Sequence, residues 1–379
     1  MKVALVHDYL GEFGGAERVL LALSEIWPNA PIYTAFYRKD SPAYARFKGR
    51  KIITSWAQKV PFFNTKLHSP LRFLAPKIWN SFDFSNFDVV ITSSSWYVTK
   101  GVKKGPGTIE ICYCHTPPRY LYGYPTSVEW QKYFLVRMYA LFINHYMRIY
   151  DFEAAQRVDY FIANSQNVAR RIKKFYRRDA DVIYPPVDLP KAKSVDSKRS
   201  TVDGGYFLVV SRIVGGKGLK LAVEAANKLN VPLKVIGKPA GYASEESNMK
   251  KIAGKNVDFL GYVSDRELAK LYAGARAFLA LATDEDFGIT PVEAMLCGTP
   301  VIAYRGGGYL ETVIDGKTGV FFEQNSVESL TGALNSFMKL EKKGTFDSVA
   351  IKRHAKKFGK ERFKEEILEF VESKVKNGK

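Results

Sequence analysis

Two runs of alternating strand-like and helix-like segments, with an aperiodic stretch between them, constrain this 379-residue chain more than any other feature. The first run opens with KVALVHDY (2–9), a short apolar stretch. It continues into AERVLLALSEIW (16–27), whose apolar residues recur at helical spacing. FDVVITSSS (87–95), TIEICYCH (108–115) and VDYFIANS (158–165) read as further strands, and QNVARRIKKFY (166–176) as a helix. Periodicity then vanishes in ADVIYPPVDLPKAKSVDSKRSTVDGG (180–205), where Pro, Lys, Ser, Asp and Gly dominate, which is the signature of a linker.

The alternation restarts at YFLVVSR (206–212) and runs through GLKLAVEAANKL, PLKVIG, VDFLG, SDRELAKLYAGA, AFLALA, PVEAMLCG, PVIAY and TGVFF (318–322). Strands separated by helices form parallel sheets with right-handed crossovers. The expected fold is α/β: two doubly wound, Rossmann-like domains facing across a cleft. The expected divisions are 1–188, 204–358 and a charged amphipathic helix in 359–379 that either caps the second domain or crosses back to the first. In such sheets ligands sit beyond the carboxyl ends of the strands, so the residues that follow each strand are the ones to inspect.

Composition narrows the class. A 46% hydrophobic, 25% charged chain of this length buries its own cores without staples. Cys112, Cys114 and Cys297 make neither a disulfide framework nor a metal site, and read as core thiols in a reducing cytoplasm. The five histidines (7, 68, 115, 145 and 354) lack ligand spacing, so no metal is expected. MKVALVHDYL does not read as a signal peptide, because His7 and Asp8 end its apolar run. YFLVRMYALFINHYMRIYDF (133–152) is interrupted by Arg137, Asn144, His145 and Arg148, and reads as a buried or interfacial helix, not a membrane span.

The formal charge is +19. Residues 1–185 hold 26 basic against 14 acidic residues, a balance of +12; the remainder holds 31 against 24, or +7. Such a surface attracts nucleic acid, anionic lipid or phosphorylated ligands. The cluster RRIKKFYRR (170–178) is either a solvated helix face or part of a membrane-facing patch.

Five stretches carry candidate chemistry. Gly11, Gly14 and Gly15 form a strand–loop–helix turn that lets backbone approach a ligand, or is simply a tight turn. It matches neither the dinucleotide fingerprint nor a P-loop. Arg212 and Lys217 follow a strand and precede a helix, as exposed cations or as a diphosphate clamp. His115 follows TIEICYC beside a Pro-Pro loop, where it is structural or reaches a cleft. Gly306–Gly308 supply a further backbone-amide loop after a strand.

The fifth stretch is TDEDFGITPVEAMLCGTP (283–300). Thr290, Pro291 and Glu293 read as N-cap, N1 and N3 of a capping box, so Glu293 has a structural use. That box does not need Glu285, Phe287 or Gly288. Glu285 therefore has no evident structural role, and its carboxylate suits sugar hydroxyls. Asp284 and Asp286 read as solvated loop acids.

Taken together, these residues resemble a retaining glycosyltransferase of family 4 with the GT-B fold. The signature is EDFGITPVEAMLCGTPVIA, with Glu285 and Glu293 separated by seven residues. SRIVGGKG, GGGYLETVIDGKTGVFF and GEFGGAERV accompany it in family order. YCHTPPRYLYG is similar to bacterial mannosyltransferases of surface-polysaccharide or lipid-linked glycan synthesis. One departure is the pair Gly215–Gly216 in VGGKG, where many relatives carry bulkier residues.

The resemblance implies a role for each matching position. Arg212 and Lys217 would hold the donor diphosphate and Glu285 the sugar hydroxyls. Glu293 would hold the ribose, and Phe287, Gly288, Ile289 and Thr290 would border sugar and phosphate. Gly14 and Gly15 would let the first domain approach, and His115 would contact the transferring sugar. It implies no cofactor and no metal. The partners it implies are a nucleotide-sugar, first GDP-mannose and second UDP-glucose or UDP-N-acetylglucosamine, and a glycan or polyprenyl-linked acceptor. The location it implies is cytoplasmic and peripheral on the inner face of the cytoplasmic membrane. The +12 balance, Trp56, Trp79, Trp96 and KVPFF (59–63) suggest an anionic membrane surface as a partner.

Two other classes explain less. A non-catalytic basic protein that binds membrane or nucleic acid accounts for the charge but not for loops gathered at strand ends. No nucleic-acid recognition signature is present, so no nucleic acid is expected as a partner. A dinucleotide-dependent oxidoreductase lacks its glycine fingerprint.

Overall fold

The computed structural model of the chain describes residues 1–126, 133–188, 205–213, 216–237 and 244–377. The chain divides into two compact units. One comprises Met1–Tyr124, Trp130–Pro186 and Lys360–Lys379, the other Pro125–Glu129 and Val187–Gly359.

The first unit is built on β1 (Val3–His7), β2 (Ile32–Thr34), β3 (Ile52–Thr54), β4 (Val89–Ser94), β5 (Ile109–Cys114), β6 (Tyr160–Ala163) and β7 (Asp181–Val182). Their spatial order is β3-β2-β1-β4-β5-β6-β7, with every pair parallel. All of β1 and β4 is buried, which explains why both read as continuous apolar runs: a parallel sheet is covered on two faces. β2, β3 and β7 are two or three residues long, too short for periodicity to reveal. β7 also corrects the linker, whose opening residues Asp181 and Val182 are paired with β6.

Side chains alternate between two cores. Val3 and Leu5 point to one side with Leu20 and Leu23 of the helix Gly15–Ile26, and with Phe363, Ile367 and Val371 of the C-terminal helix Lys360–Asn377. Ala4 and Val6 point to the other, with Trp79, Tyr97 and Met147. Lys360 and Lys364 reach Glu25 at 3.1 and 2.7 Å and fasten the C-terminal helix to this unit.

The second unit is built on β8 (Tyr206–Val210), β9 (Leu233–Ile236), β10 (Val257–Gly261), β11 (Ala275–Ala280), β12 (Val301–Tyr304) and β13 (Gly319–Phe322). Its order is β10-β9-β8-β11-β12-β13, again wholly parallel. The strand order reverses between β1 and β4 in one sheet and between β8 and β11 in the other. These are the switch points at which doubly wound sheets open a crevice.

Burial disposes of several expected surface features. Trp79 is fully buried and donates to the Tyr97 carbonyl at 2.9 Å, so it belongs to the core and not to a membrane-facing patch. Arg171 of the basic cluster is buried too, donating to Thr116 Oγ1 at 2.9 Å. Cys112 and Cys114 lie in the core, and burial pushes the Cys112 thiol up to about 12, which leaves it inert at neutral pH. Burial also pushes the Glu110 carboxyl up to about 7, while it accepts from Gly101 N and Val102 N at 2.8 and 3.1 Å.

The helix Phe134–Arg157 is two-sided. Ala140, Asn144, Met147, Asp151 and Ala154 face the core, at alternating steps of three and four. Among the described residues no helix is long and apolar enough to cross a membrane. Asp151 pairs with Lys100, both wholly buried, and also accepts from Tyr122 Oη at 2.7 Å. The Lys100 ammonium lies 4.8 Å from the Tyr176 ring centroid. This pair ties the loop after β4 to the long helix. Removing one partner of a buried pair strands the other charge. Asp151→Asn is therefore expected to lower unfolding stability by about 3–5 kcal/mol in urea titration.

Candidate functional site

In the second unit, the segments after β8, β11 and β12 are laced together by glycines. Gly218 has φ +71°, and a Cβ there would lie 2.5 Å from Leu281 Cβ, so the helix Leu219–Leu229 can start close to β11 only from a glycine. Gly308 N donates to the Glu285 carbonyl at 2.9 Å, and a Cβ on Gly308 would meet Phe287 Cα at 2.4 Å. The acid-rich loop is thus clamped by the triple glycine. A cavity of about 380 Å³ lies alongside, lined in part by Ile213, Gly216, Leu219, Leu281, Thr283 and Ser326.

Lys217 Nζ and Glu285 Oε2 are 2.8 Å apart, both partly exposed. The structure thus gives Glu285 a partner that sequence reading did not, because their sequence separation of 68 conceals the contact. Arg212 stands exposed just beyond β8. Gly215, half of the glycine pair in VGGKG, lies outside the described residues; Gly216 has φ +77°.

The capping box is not formed. The helix runs Ile289–Leu296, its N-cap is Gly288 with φ +91°, and no side chain caps it. The helix begins two residues earlier than Pro291 suggests, which places Thr290 inside the first turn. Glu293 is instead buried and accepts from Tyr272 Oη at 2.9 Å. Phe287 is buried edge-to-face on Phe358, with ring centroids 5.5 Å apart, so only its backbone remains to border a ligand. Asp284 and Asp286 are half-buried, not fully solvated.

In the first unit, His115 directly follows β5 and is buried at the sheet's carboxyl edge. Its backbone is held twice: its N–H donates to Ser94 O at 2.9 Å, and its carbonyl accepts from Asn164 Nδ2 at 2.8 Å. Gly14 is the N-cap of the helix Gly15–Ile26, and its N–H donates to Glu17 Oε2 at 2.8 Å. Sequence reading passed over His7, Ser93 and Glu17, which this edge gathers around His115. His7 ends β1 as His115 follows β5, and that position was the available signal.

Among the described residues no three His, Cys, Asp or Glu side chains group as a metal site requires. The chemical capacity of each unit is distinct. The second offers a lysine, a glutamate and backbone amides on a glycine-clamped edge, suited to an anion with a polyol attached. The first offers a buried histidine beside a helix start. Gly308→Ala would drive a Cβ into the Phe287 backbone. It is expected to lower the melting temperature by several degrees and to abolish any ligand-induced stabilisation.

The description "Glycosyltransferase Family 4" matches residues 13–191, and "Glycosyl transferases group 1" matches 191–357. The D-inositol 3-phosphate glycosyltransferases of Mycobacterium bovis (strain BCG / Pasteur 1173P2) and Mycobacterium tuberculosis (strain ATCC 25618 / H37Rv) are each 29% identical to the chain over 234 residues. The match covers 57% of this chain and 49% of each relative, so the chain spans about half the length of the curated relatives it matches. Anabaena HepE in complex with UDP and glucose superposes with a TM-score of 0.73 at 20% identity, covering 98% of this chain and 100% of that one. The apo lipopolysaccharide outer core galactosyltransferase WaaB superposes with a TM-score of 0.67 at 18% identity, covering 99% and 100%. At these identities the likeness is one of fold.

Proposed function

The chain belongs to the family-4 glycosyltransferases, and from that premise we propose that it transfers a hexose, with retention, from a nucleotide-sugar to a glycan or polyprenyl-linked acceptor in cell-envelope polysaccharide synthesis. The observation that carries the reading is the Lys217–Glu285 pair on the glycine-clamped edge of β8, β11 and β12. Both groups are partly exposed, so the pair contributes about 1 kcal/mol or less to stability. A pair worth so little to the fold can be given up to a ligand. The diphosphate takes the ammonium, and the released carboxylate accepts from sugar hydroxyls.

Departure of the nucleotide leaves charge on the diphosphate, where Lys217, Arg212 and helix-start amides stabilise it. The departing phosphate accepts the acceptor's proton, so no hydrolase-type carboxylate pair is needed. Glu293, held by Tyr272, serves the ribose. His115 and the Gly14–Gly15 turn keep the roles that the resemblance implies for them. No metal takes part in this scheme.

GDP-mannose is the donor implied by the resemblance around CHTPPRYLY. UDP-glucose is the second reading, favoured by the HepE likeness. Thermal shift against GDP-mannose, UDP-glucose and UDP-N-acetylglucosamine separates them, since a donor at 100 times its Kd adds about 2.7 kcal/mol. Lys217→Ala is expected to cut transfer about a hundredfold or more. Glu285→Gln is expected to cut it while shifting stability by no more than about 1 kcal/mol. Full activity in either variant, or transfer abolished by chelation of divalent metal, refutes the scheme.

The protein is further read as peripheral on an anionic bilayer. Of the aromatic residues expected to serve this, Trp56 and Phe62 are exposed, Trp96 is half-buried and Trp79 is buried, and a longer apolar row lies on another element. Phe134, Leu135, Met138, Leu141, Phe142, Tyr146 and Ile149 form an exposed row on the helix Phe134–Arg157, with Leu135 79% and Phe142 72% exposed. Between residues 133 and 150 the charged side chains are Arg137 and Arg148; the next acids on the helix are Asp151, which is buried, and Glu153, which is exposed one turn beyond Ile149. An apolar face bordered by arginines suits the interface of an anionic membrane. Co-sedimentation is expected with phosphatidylglycerol vesicles, weakly or not at all with phosphatidylcholine, and to be lost in Leu135→Ser/Phe142→Ser. Equal binding by that variant, or dimerisation in place of vesicle binding, refutes the assignment.

A further inference from the structure

The carboxyl edge of the first sheet holds a line of polar groups of which the scheme above uses only His115. In the parallel register His7 of β1 lies opposite Ser93 of β4. Ser93 lies opposite Tyr113 of β5, and His115 follows two residues later on the same face. Register alone therefore puts His7, Ser93 and His115 in a row. His7 Nδ1 is 3.0 Å from Ser93 Oγ, which is 2.8 Å from His115 Nε2. All three are buried. At the far end Glu17 Oε1 lies 3.6 Å from His7 Nε2, and the other carboxylate oxygen holds Gly14 N.

We infer that Glu17, His7 and Ser93 form a positioning relay that sets the tautomer of His115. The inference rests on the transferase reading for its consequence, but on the geometry for its existence. A serine hydroxyl has one proton, so it cannot donate to both rings. An ionised carboxylate only accepts, and Glu17 Oε1, at 3.6 Å too far for a hydrogen bond, attracts the N–H of neutral His7 to the Nε2 side by charge alone. His7 Nδ1 is then a lone pair, and Ser93 donates into it. Ser93 Oγ in turn accepts from His115 Nε2–H. His115 is thereby held with its proton on Nε2 and its lone pair on Nδ1. The relay thus decides which ring nitrogen of His115 donates and which accepts. Glu17 also ties the relay to the Gly14 turn, so the helix start and the His115 tautomer share one carboxylate.

The test uses the full chain labelled with 15N at histidine, near pH 8, where histidine is mostly neutral. Long-range 1H–15N correlation is expected to show His7 and His115 both protonated at Nε2. Ser93→Ala, and as a second variant Glu17→Ala, should move His115 toward a mixed tautomer. With the donor that proves active, Ser93→Ala is expected to lower kcat about tenfold, the worth of one hydrogen bond, with KM for the donor unchanged. In a His115→Gln background it should have no further effect, because the relay acts only through His115. An unchanged His115 tautomer in both variants, or losses that add, overturns the relay. If the tautomers follow this pattern but no donor is turned over, the transferase reading falls and the relay stands.

Discussion

A parallel sheet releases every strand at the same edge, and this constraint organises the molecule. Each βα turn of either unit leaves its sheet on one side, so loops far apart in sequence become neighbours without any contact that selects them individually. Lys217 and Glu285 are 68 residues apart, yet each lies just beyond a strand, β8 or β11, that pairs with the other. His7, Ser93 and His115 come together for the same reason, from three adjacent strands. The chemistry is assembled by hydrogen-bond register, and the residues only need the right side-chain types at the strand ends.

Close approach is what glycine contributes to that edge. A Cβ on Gly218 would strike Leu281, and one on Gly308 would strike the backbone of Phe287. The second unit can thus bring three loops to one place only because those positions lack side chains. The polar groups at the edges differ in how much they stabilise the fold. Lys100 and Asp151 are sealed in the core and cannot be separated cheaply. Lys217 and Glu285 are partly exposed and weakly held, as the proposed exchange of partners with a ligand requires.

Much of this was legible from sequence. The longer strands and the helices beside the loops of interest were found where apolar runs and helical spacing put them, because burial on both faces writes itself into composition, but the helices Val327–Lys342 and Ser348–Ala355 were not singled out. β2, β3 and β7 were missed because two or three residues carry no period. The capping box at Thr290 failed because Gly288 adopts a left-handed conformation and opens the helix earlier, a backbone choice that the Thr-Pro-x-Glu pattern does not reveal. Trp79 was misjudged as a surface anchor because a tryptophan's type does not say which side of a short helix it occupies. The long apolar helix was ambiguous between core and interface, and it is both: one face is buried, the other exposed.

By itself the sequence determined the α/β alternation, the two-part organisation, and the residue types at strand ends that mark a family-4 glycosyltransferase. Those features depend on local spacing and composition, which a linear string carries in full. Only the tertiary structure decided which of those residues meet. The Lys217–Glu285 pair, the burial of Glu293 against Tyr272, and the row from Glu17 to His115 all depend on strand order and register. These are set by long-range packing of the whole sheet, and no window of sequence contains them.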